Sequence, residues 1–382
     1  MTVKENQLRA PVAEAMKAYA QDGARAFHTP GHKQGLGAHP LLQELITPQG
    51  LKEEVSLMEE LDDLHEPTMC IKEAQELAAQ LYGADAAYFM INGTSGAIQA
   101  MIMGTLKPGD TVLVPRNAHR SLIGGLILTG VTPVYIQPRI DRKLGIPMGL
   151  ELKDIEKAAD EHPEAKALLL VYPTYYGVTI DLQAAAEFVH SRSMLLLVDE
   201  AHGPHLKFSD RLPMQALDAG ADMAAQSTHK ILGSMTQTSI LLARAGRMDL
   251  ERVRSAASLL QSTSPNQLLL ASLDIARLQM AEQGVELVGR AVRLAEKLRQ
   301  AVNAIPGLWS FGADYLPAGE SLDLTKVTVS VRGLGITGVQ AESILRHEYK
   351  IQCELADAYN LLFIISYADT DEQVRVLTGA LQ

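Results

Sequence analysis

Between residues 70 and 245, short apolar runs alternate with stretches of helical spacing, and this alternation restricts the fold more than any other feature. Residues 86–91, 111–114, 131–136, 167–171, 194–198, 221–225 and 239–242 read as strands. Residues 71–81 and the segments near 97–104, 119–129, 150–161 and 181–191 read as helices. Strands that are apolar nearly throughout must be covered on both faces, which a mostly parallel sheet between helix layers achieves. Pro108-Gly109-Asp110 supplies a turn just ahead of one strand. The expected class is therefore α/β.

Past residue 245 the pattern changes to two long helical stretches, about 247–261 and 265–304. Strands near 325–331 and 361–366 and helices near 336–347 and 370–380 follow. A chain of 382 residues is long for one layered core, so a second, smaller domain is expected. The plan is a segment over 1–66, a large domain with connecting helices over 67–304, and a small α+β domain over 305–382. The first segment holds a helix near 8–22 and the polar, Gly- and Pro-containing run His28-Thr29-Pro30-Gly31-His32-Lys33-Gln34-Gly35.

Composition removes several function classes. A net charge of -11 disfavours nucleic acid, whose binders present basic surfaces. It permits a cationic substrate without arguing for one. Two cysteines, Cys70 and Cys353, are too few for a disulfide scaffold or a thiolate metal site. Lys4, Glu5 and Arg9 interrupt any leading apolar run, and no window nears 18 apolar residues. A soluble cytoplasmic protein without nucleic-acid, membrane or metal partners is expected.

Five segments carry candidate chemistry. In Gln226-Ser227-Thr228-His229-Lys230 a lysine follows a strand end, beside hydroxyl and imidazole groups; an imine-forming lysine needs such desolvated, polar surroundings. Alone, it reads equally well as a solvated loop lysine. Asp199 follows the apolar run 194–198, at a strand's carboxyl end, where ligands gather in open α/β sheets. A buried carboxylate there keeps a pyridine nitrogen protonated, as pyridoxal 5′-phosphate (PLP) requires; a cap or polar strand end is the ordinary alternative. His202 either orients that carboxylate or contacts the cofactor, or is a structural histidine. Gly93, Thr94 and Ser95 open a helix, where unpaired N–H groups and the dipole favour a phosphate, although Thr and Ser are also common caps. His119 suits stacking on a flat ring, or a cap neighbourhood. Thr174, in Pro173-Thr174-Tyr175-Tyr176-Gly177, could hold a cofactor oxygen or belong to a tight turn. Neither a dinucleotide fingerprint nor a phosphate-loop lysine occurs.

Taken together, these motifs resemble fold-type I PLP enzymes, and specifically the Orn/Lys/Arg decarboxylase family. The Ser-x-His-Lys run ending at Lys230 matches that family's lysine motif. Asp199 with His202, Thr94 with Ser95, and His119 match its pyridine, phosphate and ring-stacking positions. The run from His28 through His32 to Gly35, Glu60-Leu61-Asp62-Asp63-Leu64-His65 and Ser262-Thr263-Ser264-Pro265 are also similar to segments of its shorter bacterial members. The resemblance spans nearly the whole chain. It implies PLP on Lys230, with Ser227, His229, Thr174 and Ser264 among the cofactor contacts. Ser264 is expected near the phosphate of a neighbouring subunit, in at least a homodimer. The implied activity is decarboxylation of arginine, lysine or ornithine, as in polyamine biosynthesis. Glu354, then Asp357, are the candidates for the substrate's distal cation, with Asp62 and Asp63 as alternatives and His28 and His32 as further substrate contacts. Lys230, a histidine or Cys353 would return the proton to Cα. The chain is expected to lack both the amino-terminal wing of many relatives and the further carboxy-terminal part of most. An aminotransferase clamping the α-carboxylate through Arg332 or Arg346 is the alternative, and a catalytically silent binding protein a third.

Overall fold

Burial follows the apolar pattern closely in a computed structural model that describes residues 6–382. Every residue of the strands Thr111–Pro115 and Ser239–Ala243 is buried, as expected for strands covered on both faces. The chain divides into two compact units, each drawing on separate stretches of sequence.

The first unit comprises residues 1–109, 119–131 and 222–282. Its strands Ala86–Met90, Ser239–Ala243 and Met223–Gln226 form an antiparallel ladder, with Met90 opposite Ser239 and Ile240 opposite Gln226. The helix Gly93–Thr105 packs against Arg120–Thr129 and Leu250–Leu259. The amino-terminal helix Pro11–Asp22 is tied down by the buried pair Asp274 and Arg277. Asp274 Oδ2 accepts from the Val12 amide at 3.0 Å, and Arg277 donates to the Gln7 carbonyl at 2.6 Å. The short helices Pro40–Ile46 and Pro48–Glu53 add what periodicity missed, because each is only two turns or less.

Asp62 has a structural task in this unit. Its carboxylate accepts backbone N–H bonds from Asp63, Thr68, Met69, Ile71 and Lys72, so it organises the entry to the helix Cys70–Tyr82. Burial opposes ionisation, but these bonds win and hold the carboxyl below its ordinary range. Asp62→Ala is expected to cost roughly 2–3 kcal/mol at pH 7. Because the folded pKa is the lower one, this contribution is present above the unfolded value, ~3.9. It is lost as pH falls through the folded value. Calorimetry at pH 7 and at pH 3 should therefore show the gap between wild type and variant shrinking on acidification.

The second unit holds residues 110–118, 132–221 and 283–382. The strands Leu195–Asp199, Ala167–Val171, Thr111–Pro115 and Thr132–Ile136 run parallel in that order, with Asp199 beside Val171 at the carboxyl end. The helices Leu152–Glu161 and Leu182–Ser191 connect them as the spacing predicts. The expected later strands appear as Lys326–Ser330 and Asn360–Ile364, paired antiparallel and flanked by Trp309–Ser310 and Leu355–Ala356. Alternation sends Val327 and Val329 into an apolar core with Leu298, Leu361 and Phe363. The helices Gly338–Glu348 and Asp371–Leu381 each start with a capping box, Thr337 with Gln340 and Thr370 with Gln373. Among the described residues no helix is long and apolar enough to cross a membrane.

Candidate active site

In the first unit, the helix Gly93–Thr105 begins immediately after a strand, and its entry is unusual. Asn92 stands at the N-cap, yet its side chain makes no capping bond. Gly93 adopts φ 79°, a left-handed conformation that glycine reaches without strain, and its amide donates to the Gln237 carbonyl at 2.8 Å. Thr94 is buried and its hydroxyl pairs with that of Ser227. The Thr94 hydroxyl also donates to Ser239 Oγ at 2.8 Å, which in turn donates to the Gln226 carbonyl at 2.7 Å. A three-hydroxyl cluster thus ties the helix entry to the strand end that precedes Lys230. Ser95 is exposed.

Lys230 follows within one turn, its amide donating to the Ser227 carbonyl at 3.2 Å, and its side chain is exposed. His229 Nδ1 donates to the Thr238 carbonyl at 2.8 Å, which fixes its proton there. His119 proves to be a helix N-cap: its Nδ1 accepts from the Ser121 amide at 3.2 Å, leaving the ring proton on Nε2. Partial burial, with the charges of Lys230 and Arg120, holds the His119 pKa below its ordinary value. A neutral, oriented imidazole results. Thr94, Ser227 and Lys230 are therefore linked through backbone and hydroxyl contacts, and His119 feels the lysine's charge.

The other expected residues of this unit are engaged locally. His28 bonds the Tyr19 hydroxyl at 2.8 Å and the Thr29 carbonyl at 2.6 Å. His32 pairs with Glu54 at 2.8 Å and accepts from the Gly35 amide. Ser264 is exposed, its amide held by Ser262 Oγ at 3.1 Å.

The second unit presents a carboxylate-centred group. Asp199, 4% exposed, is the last residue of its strand, and its Oδ1 accepts from the Ala201 amide at 3.2 Å. His202 is equally buried; Lys326 Nζ lies 2.8 Å from its Nδ1, and the Tyr175 ring meets it edge-on at 4.7 Å. Thr174 Oγ1 accepts from the Val178 amide at 3.0 Å, so the tight-turn expectation holds for that lone pair.

The two acids expected to hold a substrate cation differ. Asp357 accepts from the Tyr359 and Asn360 amides at 2.8 Å each, from the Asn360 side chain, and from the Tyr176 hydroxyl at 2.7 Å. Its lone pairs are consumed in shaping a turn. Glu354 is exposed and one of its oxygens accepts from the Tyr175 hydroxyl, whose pKa burial and this bond push up. The other oxygen has no protein donor among the described contacts. Cys353 is half-buried, and burial pushes its thiol up, away from proton transfer at neutral pH. Arg332 stacks on Tyr359 at 4.2 Å and donates to the Lys143 carbonyl, while Arg346 faces Glu342. Both candidate carboxylate clamps are thus turned to other partners.

Sequence reasoning missed Ser239 and Lys326. Ser239 is the first residue of a strand and carries no motif. Lys326 stands on the polar side of an alternating strand, with Thr328 and Ser330, and the structure buries that side too.

The donor set is hydroxyl, backbone N–H, imidazole and amine, which suits a phosphate and a carbonyl compound. No group of three metal-ligating side chains occurs among the described residues.

Residues 10–317 match the family model described as the Orn/Lys/Arg decarboxylase major domain. The chain is 46% identical over 377 residues to an arginine decarboxylase of Halalkalibacterium halodurans, covering 98% of this chain and 77% of that protein. It is 43% identical to an arginine decarboxylase of Bacillus subtilis, with 98% and 77% covered. A solved lysine decarboxylase of Francisella novicida superposes with a TM-score of 0.88 at 24% identity. That match covers 98% of this chain but 60% of the longer one, and at this identity it shows the fold alone: the expected fold-type I α/β architecture.

Proposed function

The chain belongs to the Orn/Lys/Arg decarboxylase family, and from that premise we propose that it decarboxylates a basic amino acid, arginine before lysine or ornithine, using PLP joined to Lys230. The observation that carries this reading is the lysine at the end of a hydroxyl cluster on an uncapped helix entry. Arginine is ranked first because the relatives at 43–46% identity carry the name arginine decarboxylase. A role in polyamine formation follows, since decarboxylated arginine is a polyamine precursor.

PLP, when bound, supplies a sink for the electron pair left as CO₂ departs. The chain's own residues do the rest. The Gly93, Thr94 and Ser95 end of the helix, steadied by Ser227 through Thr94, would offer backbone N–H groups, the Ser95 hydroxyl and a dipole to the phosphate. Asp199, buried at its strand end, would hold a proton on the pyridine nitrogen. His119, neutral with its proton on Nε2, offers a flat face to the ring. Thr174, His229 and Ser264 are secondary contacts. Lys230 would hold the cofactor through its amine, and it or a histidine would return the proton to Cα. A homodimer belongs to the same reading. Large apolar side chains exposed on the amino-terminal segment, Phe27, Leu36 and Leu45, are consistent with cover by a second copy.

Glu354 receives the substrate's cationic end through the oxygen that Tyr175 leaves open. Glu354→Gln is expected to raise KM for arginine by about 10–100-fold with little change in kcat, the loss of one charged hydrogen bond. Steady-state CO₂ release at saturating PLP measures it. Asp357→Asn should instead lower thermal stability. Equal KM for wild type and Glu354→Gln would remove Glu354 from the substrate site.

The primary test is an absorbance spectrum of the purified protein with PLP, before and after borohydride, and CO₂ and amine assays with arginine, lysine and ornithine. A visible band fixed on Lys230, with CO₂ and amine from arginine, is the expected result. Keto-acid formation without CO₂ would replace the reading with an aminotransferase, and absence of the band in folded protein would overturn it.

A further inference from the structure

Lys326 is a charged residue in an unexpected place. It opens the strand Lys326–Ser330 with 1% of its surface exposed, on the face opposite the apolar core that takes Val327 and Val329. A lysine ammonium is seldom fully buried unless paired. A buried carboxylate three residues earlier supplies an attracting charge. Asp323, wholly buried, accepts from Thr325 Oγ1 at 2.6 Å and from the Thr325 amide at 3.0 Å, and lies 3.1 Å from His205 Nε2. The attraction between Asp323 and the Lys326 charge contributes, after His205, to keeping that carboxyl ionised against its burial. Arg299 binds the Lys326 carbonyl at 2.8 Å, anchoring the strand start. Gly177, at φ 88°, leaves just enough room for the lysine stem. A Cβ there would come within 2.8 Å of Lys326 Cβ and Cγ.

The ammonium end lies 2.8 Å from His202 Nδ1. A charged lysine has three donors and no acceptor, so Nδ1 must be the acceptor. A ring nitrogen that accepts cannot carry the proton of a neutral imidazole, and which nitrogen does is set by the bond the other makes. Tyr175 packs edge-on against the same ring at an interplanar angle of 64°, limiting its rotation. We propose that Lys326 is a positioning residue that locks His202 as the neutral tautomer protonated on Nε2, so that His202 serves the cofactor site only as an Nε2–H donor.

The inference rests on the proposed function for its catalytic consequence, but the tautomer does not. Nitrogen-15 NMR of histidine-labelled, cofactor-free protein reads the tautomer directly, with His202 assigned through His202→Gln. The expected wild-type signal has an unprotonated Nδ1 and a protonated Nε2. Lys326→Met, which keeps the stem and removes the donor, should give a mixed or reversed tautomer, and Lys326→Arg should restore the wild-type pattern. With PLP bound, Lys326→Met should lower kcat by about 10–100-fold, the usual cost of losing an orienting partner, with KM within about twofold. Protonated Nδ1 in the wild type, or an unchanged tautomer in folded Lys326→Met, would overturn the proposal. If Lys326→Met does not fold, the wild-type assignment and Lys326→Arg decide: a donor-retaining variant that changes the tautomer also refutes it. An Nε2–H tautomer in a protein that releases no CO₂ from any basic amino acid would refute the decarboxylase reading and leave this one standing.

Discussion

Lys230→Ala is expected to lose the visible absorbance band, to resist borohydride labelling by PLP, and to lower CO₂ release from arginine by about 10⁴-fold or more. The size follows from what the amine does. Covalent catalysis splits one difficult step into two easier ones, and deleting the nucleophile of such a site removes the whole path. The fold should survive, because the side chain is exposed and its backbone bond to Ser227 remains. Circular dichroism and the thermal midpoint check that point. A Lys230→Ala protein that keeps a borohydride-fixed cofactor would place the imine on another lysine. Lys326 is the instructive comparison, since it is buried and held against His202.

Asp199→Asn should lower kcat by about 10²–10³-fold while PLP still binds, the range seen when one electrostatic stabiliser of a developing charge is removed. An amide in place of the carboxylate would not hold a proton on the pyridine nitrogen, which would weaken the electron sink that PLP supplies. The Ala201 amide can still bond the remaining oxygen, so the strand end should stay intact. The discriminating measurement is single-turnover CO₂ release at saturating arginine alongside PLP titration. A kcat within threefold of wild type, at full cofactor occupancy, would strip Asp199 of this role. A loss of PLP affinity alone would mean that the residue only helps to seat the ring.

The sequence reading and the structure agree where local rules decide. The strand positions follow from uninterrupted apolar runs, the Asp199 placement from a run that ends in a carboxylate, and the two carboxy-terminal helices from their helical spacing. The antiparallel Ser239–Ala243 strand was legible as a strand but not in its direction, because pairing sense depends on how the chain returns and not on composition. The site candidates divided along the same line. Thr94, Ser227 and Lys230 were legible because each sits beside a strand end, whereas Ser239, which bridges Thr94 to the Gln226 carbonyl, has no local mark.

Glu354 and Asp357 show the limit most clearly. The family resemblance puts two acids three residues apart forward for a substrate cation, Glu354 ahead of Asp357, with nothing local to separate their surroundings. The tertiary structure separates them, since Asp357 spends its oxygens on the Tyr359 and Asn360 amides, the Asn360 side chain and Tyr176, while Glu354 keeps one in reserve. Asp62 is a similar case, its two oxygens claimed by a helix entry. The amino-acid sequence by itself determined the α/β class, the elements and the chemistry-bearing motifs, because periodicity, caps and strand-end residues act over a few neighbouring positions. Only the tertiary structure decided which polar groups remain available. Hydrogen-bond capacity is consumed by partners distant in sequence, as Lys326 and His202 are, 124 residues apart.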